Sequence, residues 1–110
     1  MDLGLQGKIA IVTGGASNIG KAITVGLFEE GANVIIADVD VPQGERVAAD
    51  LNAGGREGAF FVETDAGKRE SIEALTKWVL DKFGQIDILV NNAGWTANAL
   101  FMDKPYSDFE

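Results

Sequence analysis

The sequence contains no cysteine and no histidine among its 110 residues. Without cysteine, the chain can form neither a disulfide nor a thiolate metal site. Without histidine, it lacks the commonest metal ligand and the commonest general base. We therefore expect no metal site, and any proton transfer must use other residue types. The absence of cysteine also fits a reducing compartment.

Long apolar runs and clusters of positive charge are absent too. No segment approaches the roughly 20 apolar residues of a membrane-spanning helix, and the first residues lack the basic start and apolar core of a signal peptide. The chain has 9 basic and 17 acidic residues, a net charge of −8, and its basic residues are scattered. This pattern predicts no nucleic-acid partner, no membrane partner and a cytoplasmic location.

The composition that remains is typical of a folded protein. Hydrophobic residues make up 46% of the chain and charged residues 24%, which favours a globular protein over a disordered one. The length favours one domain over residues 1–110. A chain of this size buries roughly two thirds of its unfolded surface, which is enough for a core.

Short runs rich in Ile, Val and Phe alternate with segments of helical periodicity. The runs predict strands at residues 8–13, 33–38, 59–63 and 86–90, with a helix in each of the three intervals. This alternation indicates an α/β fold of the Rossmann type, a parallel sheet between two helical layers. Right-handed crossovers favour the strand order 3-2-1-4, with a ligand crevice between strands one and four.

The periodicity also gives the first and third helices an apolar pattern. In the first helix the apolar positions are Ile19, Ala22, Ile23, Gly26 and Leu27, and in the third they are Ile72, Leu75, Val79, Leu80 and Phe83.

A glycine-rich turn joins the first strand to the first helix. Residues 13–20 read T-G-G-A-S-N-I-G, and a turn of this kind directs backbone N–H groups and a helix N-terminus at a phosphate. The second strand ends in Asp38, eighteen residues after Gly20. That spacing is close to the one at which an acidic residue binds a ribose 2′-hydroxyl in dinucleotide-binding folds. Together the two features predict a dinucleotide site.

The residues alone also allow two other interpretations of the chain's function. Residues 15–21 also fit the first part of the phosphate-binding loop of nucleotide hydrolases, G-x-x-x-x-G-K. The next residue of that loop is a Ser or Thr that binds magnesium, whereas this chain has Ala22. The other alternative is a non-catalytic module that binds NAD or only a partner.

Asp38 also favours NAD over NADP. A 2′-phosphate beside this carboxylate would be repelled by up to about 4 kcal/mol per charge pair at contact. Even a fraction of that energy changes the preference about tenfold or more. Residues 14–17 and 39–40 contain no Arg or Lys that would offset the repulsion.

Taken together, the motifs resemble the N-terminal, cofactor-binding portion of the short-chain dehydrogenase/reductase family. Residues 13–20 resemble the family's T-G-x-x-x-G-x-G turn, with Asn18 in place of the middle glycine. Residues 91–94 match its N-N-A-G, and residues 64–66 resemble its Asp-Val pair, with Ala66 in place of Val. Because Asn tolerates left-handed conformations, we expect the turn to form despite the first departure.

The resemblance covers nearly the whole chain. It implies an NAD-dependent enzyme that transfers hydride between NAD(H) and an alcohol or carbonyl substrate, and that is a homo-oligomer when complete. The residues it assigns to the cofactor are Gly14, Ser17, Asn18, Ile19 and Gly20 at the pyrophosphate and nearby ribose, Asp38 at the adenosine ribose, Asp65 and Ala66 at the adenine, and Asn92, Ala93 and Gly94 on the adenosine side.

No catalytic residue can be assigned in the same way. The family's catalytic Ser and its Tyr-x-x-x-Lys pair have no match, since Tyr106 is the only tyrosine and Glu110, not Lys, stands four residues after it. We therefore expect that the chain is truncated before its catalytic half and is inactive alone.

Overall fold

A computed structural model describes residues 4–92, which form four strands alternating with three helices. The elements are β1 (Ile9–Thr13), α1 (Asn18–Glu29), β2 (Asn33–Asp38), α2 (Val41–Asn52), β3 (Ala59–Glu63), α3 (Arg69–Phe83) and β4 (Ile88–Asn91). All neighbouring strands pair in parallel, and the order across the sheet is β3-β2-β1-β4. The predicted fold class and strand order are confirmed.

The two central strands, β1 and β2, are buried on both faces, which explains why they are almost continuously apolar. One face packs against α3, through Ile9, Ile11, Ile35, Ala37, Leu75 and Val79. The opposite face packs against α1 and α2, through Val12, Val34, Ile36 and Val47 together with the half-buried Ile23 and Leu27. These contacts make three layers, with α3 alone on its side of the sheet among the described helices.

The helix boundaries follow from local sequence. Gly31, which follows the C-cap residue Glu30 of α1, has a φ of 95°, and Gly84 has a φ of 78° at the end of α3, a left-handed conformation that suits glycine. The α2 helix begins with Pro42 in its first turn, and the carboxylate of Asp40 accepts a hydrogen bond from the Gln43 N–H at 3.1 Å. The guanidinium of Arg56 donates to three backbone carbonyls around the end of α1.

Strand β4 begins two residues later than the sequence predicts. The Asp87 N–H donates to the Ile9 carbonyl at 2.8 Å, so backbone pairing with β1 starts there. However, the Ile9 N–H donates to the Asp87 carboxylate at 2.8 Å. A side chain thus replaces the backbone acceptor at this end of the ladder, and regular strand begins at Ile88.

Two apolar positions of the helical pattern are exposed. Ile19 is 69% exposed and Leu80 is 44% exposed, although both have the helical periodicity of a buried face. Ile19 lies at the start of α1 beside a cleft. Leu80 lies in a shallow groove along α3 with Ile72 and Thr76.

The Asp87 contact predicts a pH-dependent stability. The hydrogen bond from the Ile9 N–H is the main cause that lowers the pKa of the Asp87 carboxyl, and the Gln85 amide and the Lys8 charge lower it further. A carboxyl whose pKa is lowered on folding stabilises the protein above its unfolded pKa, and loses this effect as the pH falls through the folded pKa. We therefore expect Asp87→Asn to be less stable than the wild type at pH 7.

Denaturant unfolding at pH 7 and below pH 4 measures this difference. We expect the gap between wild type and Asp87→Asn to shrink at the lower pH, while Asp50→Asn, at an exposed carboxylate of α2, leaves stability nearly unchanged at both. An equal gap at both pH values would refute the assigned role of the Asp87 charge.

Candidate cofactor site

A cleft of about 570 Å³ lies at the carboxyl ends of the strands. In open parallel sheets, ligands bind at this edge, where loops from neighbouring strands diverge. The lining residues come from the turn after β1 and from the ends of β2, β3 and β4; they are Gly14, Ser17, Asn18, Ile19, Ala37, Asp38, Val39, Thr64, Asp65, Ala66, Gly67 and Asn92.

The glycine-rich turn adopts the conformation that a phosphate site requires. Asn18 has a φ of 53°, the one positive value at a non-glycine position in the described range. This residue therefore occupies the left-handed conformation expected of the glycine it replaces. Ser17 precedes α1, and its side chain makes no capping hydrogen bond. Because the first N–H groups of a helix have no partner within it, the start of α1 offers donors towards the cleft.

Gly20 is required by close packing rather than by its φ. A Cβ at this position would collide with the carbonyl of Gly14 and would lie 2.6 Å from the Asn92 side-chain nitrogen. The first turn of α1 therefore lies directly against both the glycine-rich turn and the residue after β4. Any side chain here would separate two of the cleft's walls.

Thr13, at the end of β1, joins the turn to β4. Its hydroxyl oxygen accepts a hydrogen bond from the Asn92 N–H at 2.9 Å. The same hydroxyl lies 3.3 Å from the Val90 carbonyl and 3.2 Å from the Asn91 side-chain oxygen, and its single proton can be donated to either. Thr13 is fully buried, so this arrangement fixes the positions of both strand ends.

Asp38 is held in the cleft by backbone donors. One carboxylate oxygen accepts from the Ala16 N–H and the other from the Asp40 N–H, both at 3.1 Å. The Thr64 N–H donates to the Asp38 carbonyl at 2.9 Å, which joins the loops after β2 and β3. Among residues 4–92, no Lys or Arg forms an ion pair with Asp38, so the carboxylate gives this end of the cleft a negative charge.

The loop after β3 contributes a second carboxylate. The Asp65 Oδ1 accepts from the Gly67 N–H at 3.0 Å, and its Oδ2 lies 4.0 Å from the Lys68 ammonium. The Asp65 N–H donates to the Ser71 hydroxyl oxygen at 2.8 Å. Ala66 is buried beside it. The loop thus offers an oxygen acceptor next to a small apolar surface.

The structure brings together most of the residues that the sequence assigns to the site. Gly14, Ser17, Asn18, Ile19, Asp38, Asp65, Ala66 and Asn92 all line the cleft. Gly20 lies behind the turn rather than in the lining, and Ala93 and Gly94 lie outside the described residues.

Sequence reasoning missed four lining residues, Ala37, Val39, Thr64 and Gly67. Each adjoins a predicted site residue at the end of β2 or β3, and this adjacency is the signal that could have identified them. Nothing in the described part of the chain gathers three potential metal ligands. None of its helices is long and apolar enough to cross a membrane.

The parallel order β3-β2-β1-β4, with a glycine-rich turn and an acidic residue at the cleft, defines a Rossmann-type dinucleotide-binding fold. Comparison with known proteins narrows this class. The family described as short chain dehydrogenase matches residues 8–110. A short chain dehydrogenase/reductase of Aspergillus oryzae is 40% identical over 89 residues, covering 81% of this chain and 34% of that protein. The chain belongs to the short-chain dehydrogenase/reductase family.

Solved structures agree with this assignment. L-sorbose reductase from Gluconobacter frateurii, in complex with NADPH and L-sorbose, has a TM-score of 0.81 and 37% identity over 86% of this chain and 36% of its own. A family member from Burkholderia phymatum, in complex with NAD, has a TM-score of 0.73 and 32% identity over 77% of this chain and 30% of its own. The chain thus spans about a third of the length of its relatives. These matches favour the dinucleotide fold over the nucleotide-hydrolase alternative.

The close packing at Gly20 predicts a cost for any added side chain. We expect Gly20→Ala to lose about 1–3 kcal/mol of stability, the usual range for overpacking, because the new Cβ displaces Gly14 and Asn92. Gly26→Ala, in the same helix, is the matched control, since nothing lies within 4 Å of its added Cβ. It should gain up to about 1 kcal/mol from helix propensity.

Urea unfolding of both variants measures these changes. Equal stabilities for Gly20→Ala and Gly26→Ala would show that the turn tolerates a side chain at residue 20, and would contradict the packing argument.

Proposed function

We propose that this chain binds NAD in the cleft and forms the cofactor-binding part of an oxidoreductase. The complete enzyme transfers hydride between NAD(H) and an alcohol or carbonyl substrate. The observation that carries the proposal is the Asp38 carboxylate, fixed by the Ala16 and Asp40 N–H groups beside the N-terminus of α1. Family membership supports the reaction class.

The pyrophosphate lies at the glycine-rich turn in this proposal. Phosphate oxygens need several N–H donors and a positive electrostatic potential, and the start of a helix supplies both. The start of α1 has no side-chain cap, and the turn before it lines the cleft at Gly14, Ser17 and Asn18. Together they meet this requirement. Ile19, at 69% exposure on the cleft wall, gives the cofactor an apolar surface to cover.

The adenosine lies on the side of β2 and β3. The Asp38 carboxylate accepts from the ribose hydroxyls, and the base lies against the loop of Asp65 and Ala66, which adjoins Asp38 through the Thr64 N–H. Asn92 closes the side formed by β4. Ala93 and Gly94 extend this wall by their family resemblance alone, since they lie outside the described residues.

The same carboxylate supports NAD over NADP. Its two oxygens accept from backbone N–H groups, and no described cation pairs with it. A 2′-phosphate bound here would face an uncompensated negative charge. Structures of relatives were solved in complex with NAD, NADH or NADPH. The proposed preference for NAD over NADP therefore depends on the charge of Asp38 and not on family membership.

Hydride transfer itself needs groups that these 110 residues do not contain. The sequence has no Tyr-x-x-x-Lys, and its one tyrosine, Tyr106, lacks the following Lys. Residues 1–110 therefore act as a single dinucleotide-binding unit within the proposed enzyme. In this proposal, cofactor affinity and the preference for NAD reside here, and no residue of these 110 is assigned to proton transfer.

Cofactor titration tests the proposal directly. We expect the wild type to bind NAD at least about tenfold tighter than NADP, the factor that part of a contact-distance charge repulsion supplies. Asp38→Asn removes the charge with little change in size, so the preference should fall towards unity. Calorimetric titration of each variant with each cofactor gives both dissociation constants.

The matched control is Asp50→Asn, which makes the same charge change on the exposed surface of α2 outside the cleft lining. Its preference for NAD should equal that of the wild type. A wild type that binds neither cofactor, or one that prefers NADP, would overturn the proposal.

A further inference from the structure

Hydrogen bonds connect the loop between β3 and α3 to the first turn of α3. The helix begins after Lys68, whose side chain makes no capping hydrogen bond. Instead, the Ser71 hydroxyl oxygen reaches back and accepts from the Asp65 N–H at 2.8 Å. The Asp65 carbonyl accepts from the Lys68 N–H at 3.0 Å. Both backbone polar groups of Asp65 are therefore attached to the beginning of α3.

The Asp65 carboxylate is oriented by a third contact. Its Oδ1 accepts from the Gly67 N–H at 3.0 Å, which fixes the side-chain rotamer. Its Oδ2 faces only the Lys68 ammonium among the contacts of the described residues, at 4.0 Å, with side chains 48% and 71% exposed. An exposed ion pair at that distance constrains little. Oδ2 is thus the oxygen able to accept a hydrogen bond from a ligand in the cleft.

The neighbouring loop indicates which part of the cofactor lies there. The Thr64 N–H donates to the Asp38 carbonyl, so the loop that carries Asp65 adjoins the residue that holds the ribose in the proposed function. The base on that ribose then meets Asp65 and the buried Ala66. Adenine carries an exocyclic amino group, a donor that a carboxylate oxygen accepts.

We infer that Ser71 is a positioning residue for adenine recognition. It does not line the cleft, but its hydroxyl fixes the backbone of Asp65 and so directs Oδ2 at the amino group of the base. The inference rests on the proposed NAD site and deepens it, because it makes base selectivity depend on a side chain in α3. Removing the hydroxyl releases the loop without removing the carboxylate.

The test compares NAD with nicotinamide hypoxanthine dinucleotide, in which an oxo group replaces the amino group of adenine. A carboxylate accepts from the amino group but repels the oxo group, so the wild type should prefer NAD. In Ser71→Ala the preference should fall about fivefold, the equilibrium factor for one neutral hydrogen bond. Ser71→Thr keeps the hydroxyl and should restore the wild-type ratio.

Thr76→Val is the matched control, because the Thr76 hydroxyl donates only to the Ile72 carbonyl within α3. Its ratio should equal that of the wild type. A general loss of stability would weaken binding of both dinucleotides equally, so the ratio separates positioning from a structural role.

The outcomes separate the role of Ser71 from the proposed NAD site. If NAD binds but the wild type shows no preference between the two bases, or Ser71→Ala keeps the full preference, the inference about Ser71 is wrong and the proposed function stands. If NAD does not bind at all, both are wrong.

Discussion

The hydrogen bonds of one buried hydroxyl, that of Thr13, determine the geometry on which the cleft depends. In a parallel sheet whose order is β3-β2-β1-β4, the loops after β1 and β4 diverge to form a crevice. The Thr13 hydroxyl accepts the Asn92 N–H across that crevice, and the absence of a side chain at Gly20 lets Asn92 approach the turn. The cleft thus has fixed walls before any ligand enters.

A second constraint links the phosphate-binding turn to the carboxylate beside it. The Ala16 N–H belongs to the glycine-rich turn, yet it donates to Asp38 rather than pointing freely into the cleft. One donor of the turn is therefore used by the protein itself, while the uncapped start of α1 remains for a phosphate. Movement of the turn would also move Asp38. The Gly14 N–H also donates to the Ala37 carbonyl at 2.7 Å, so in the proposed site two hydrogen bonds couple phosphate binding to ribose recognition.

The limits of strands and helices were predictable where neighbouring residues in the sequence determine them. They were less predictable where contacts between residues far apart in the sequence determine them. Strands β2 and β3 have the predicted limits, because polar residues bound their apolar runs. The start of β4 was wrong, since a hydrogen bond from Ile9 to the Asp87 side chain replaces the first rung. Ile19 and Leu80 belong to the apolar helical pattern and are nevertheless exposed, because periodicity identifies an apolar face and not the neighbour that covers it. Likewise, no motif indicates that Ser71 fixes Asp65, because that contact forms only when the loop folds back on α3.

The described residues surround the cleft more fully than they cover the face of β4 that lies on the side of α3. Asp38, Asp65 and Asn92 surround the proposed adenosine site, and each is fixed by backbone hydrogen bonds or close packing. On the side of β4, however, Leu89 pairs in register with Ile11, so its side chain points to the face of α3, and it is still 50% exposed. Strands of parallel sheets are normally buried on both faces, so this exposure distinguishes β4 from the fully buried β1. In the proposed site, the charge that distinguishes NAD from NADP thus lies on the side of β2, at the Asp38 carboxylate.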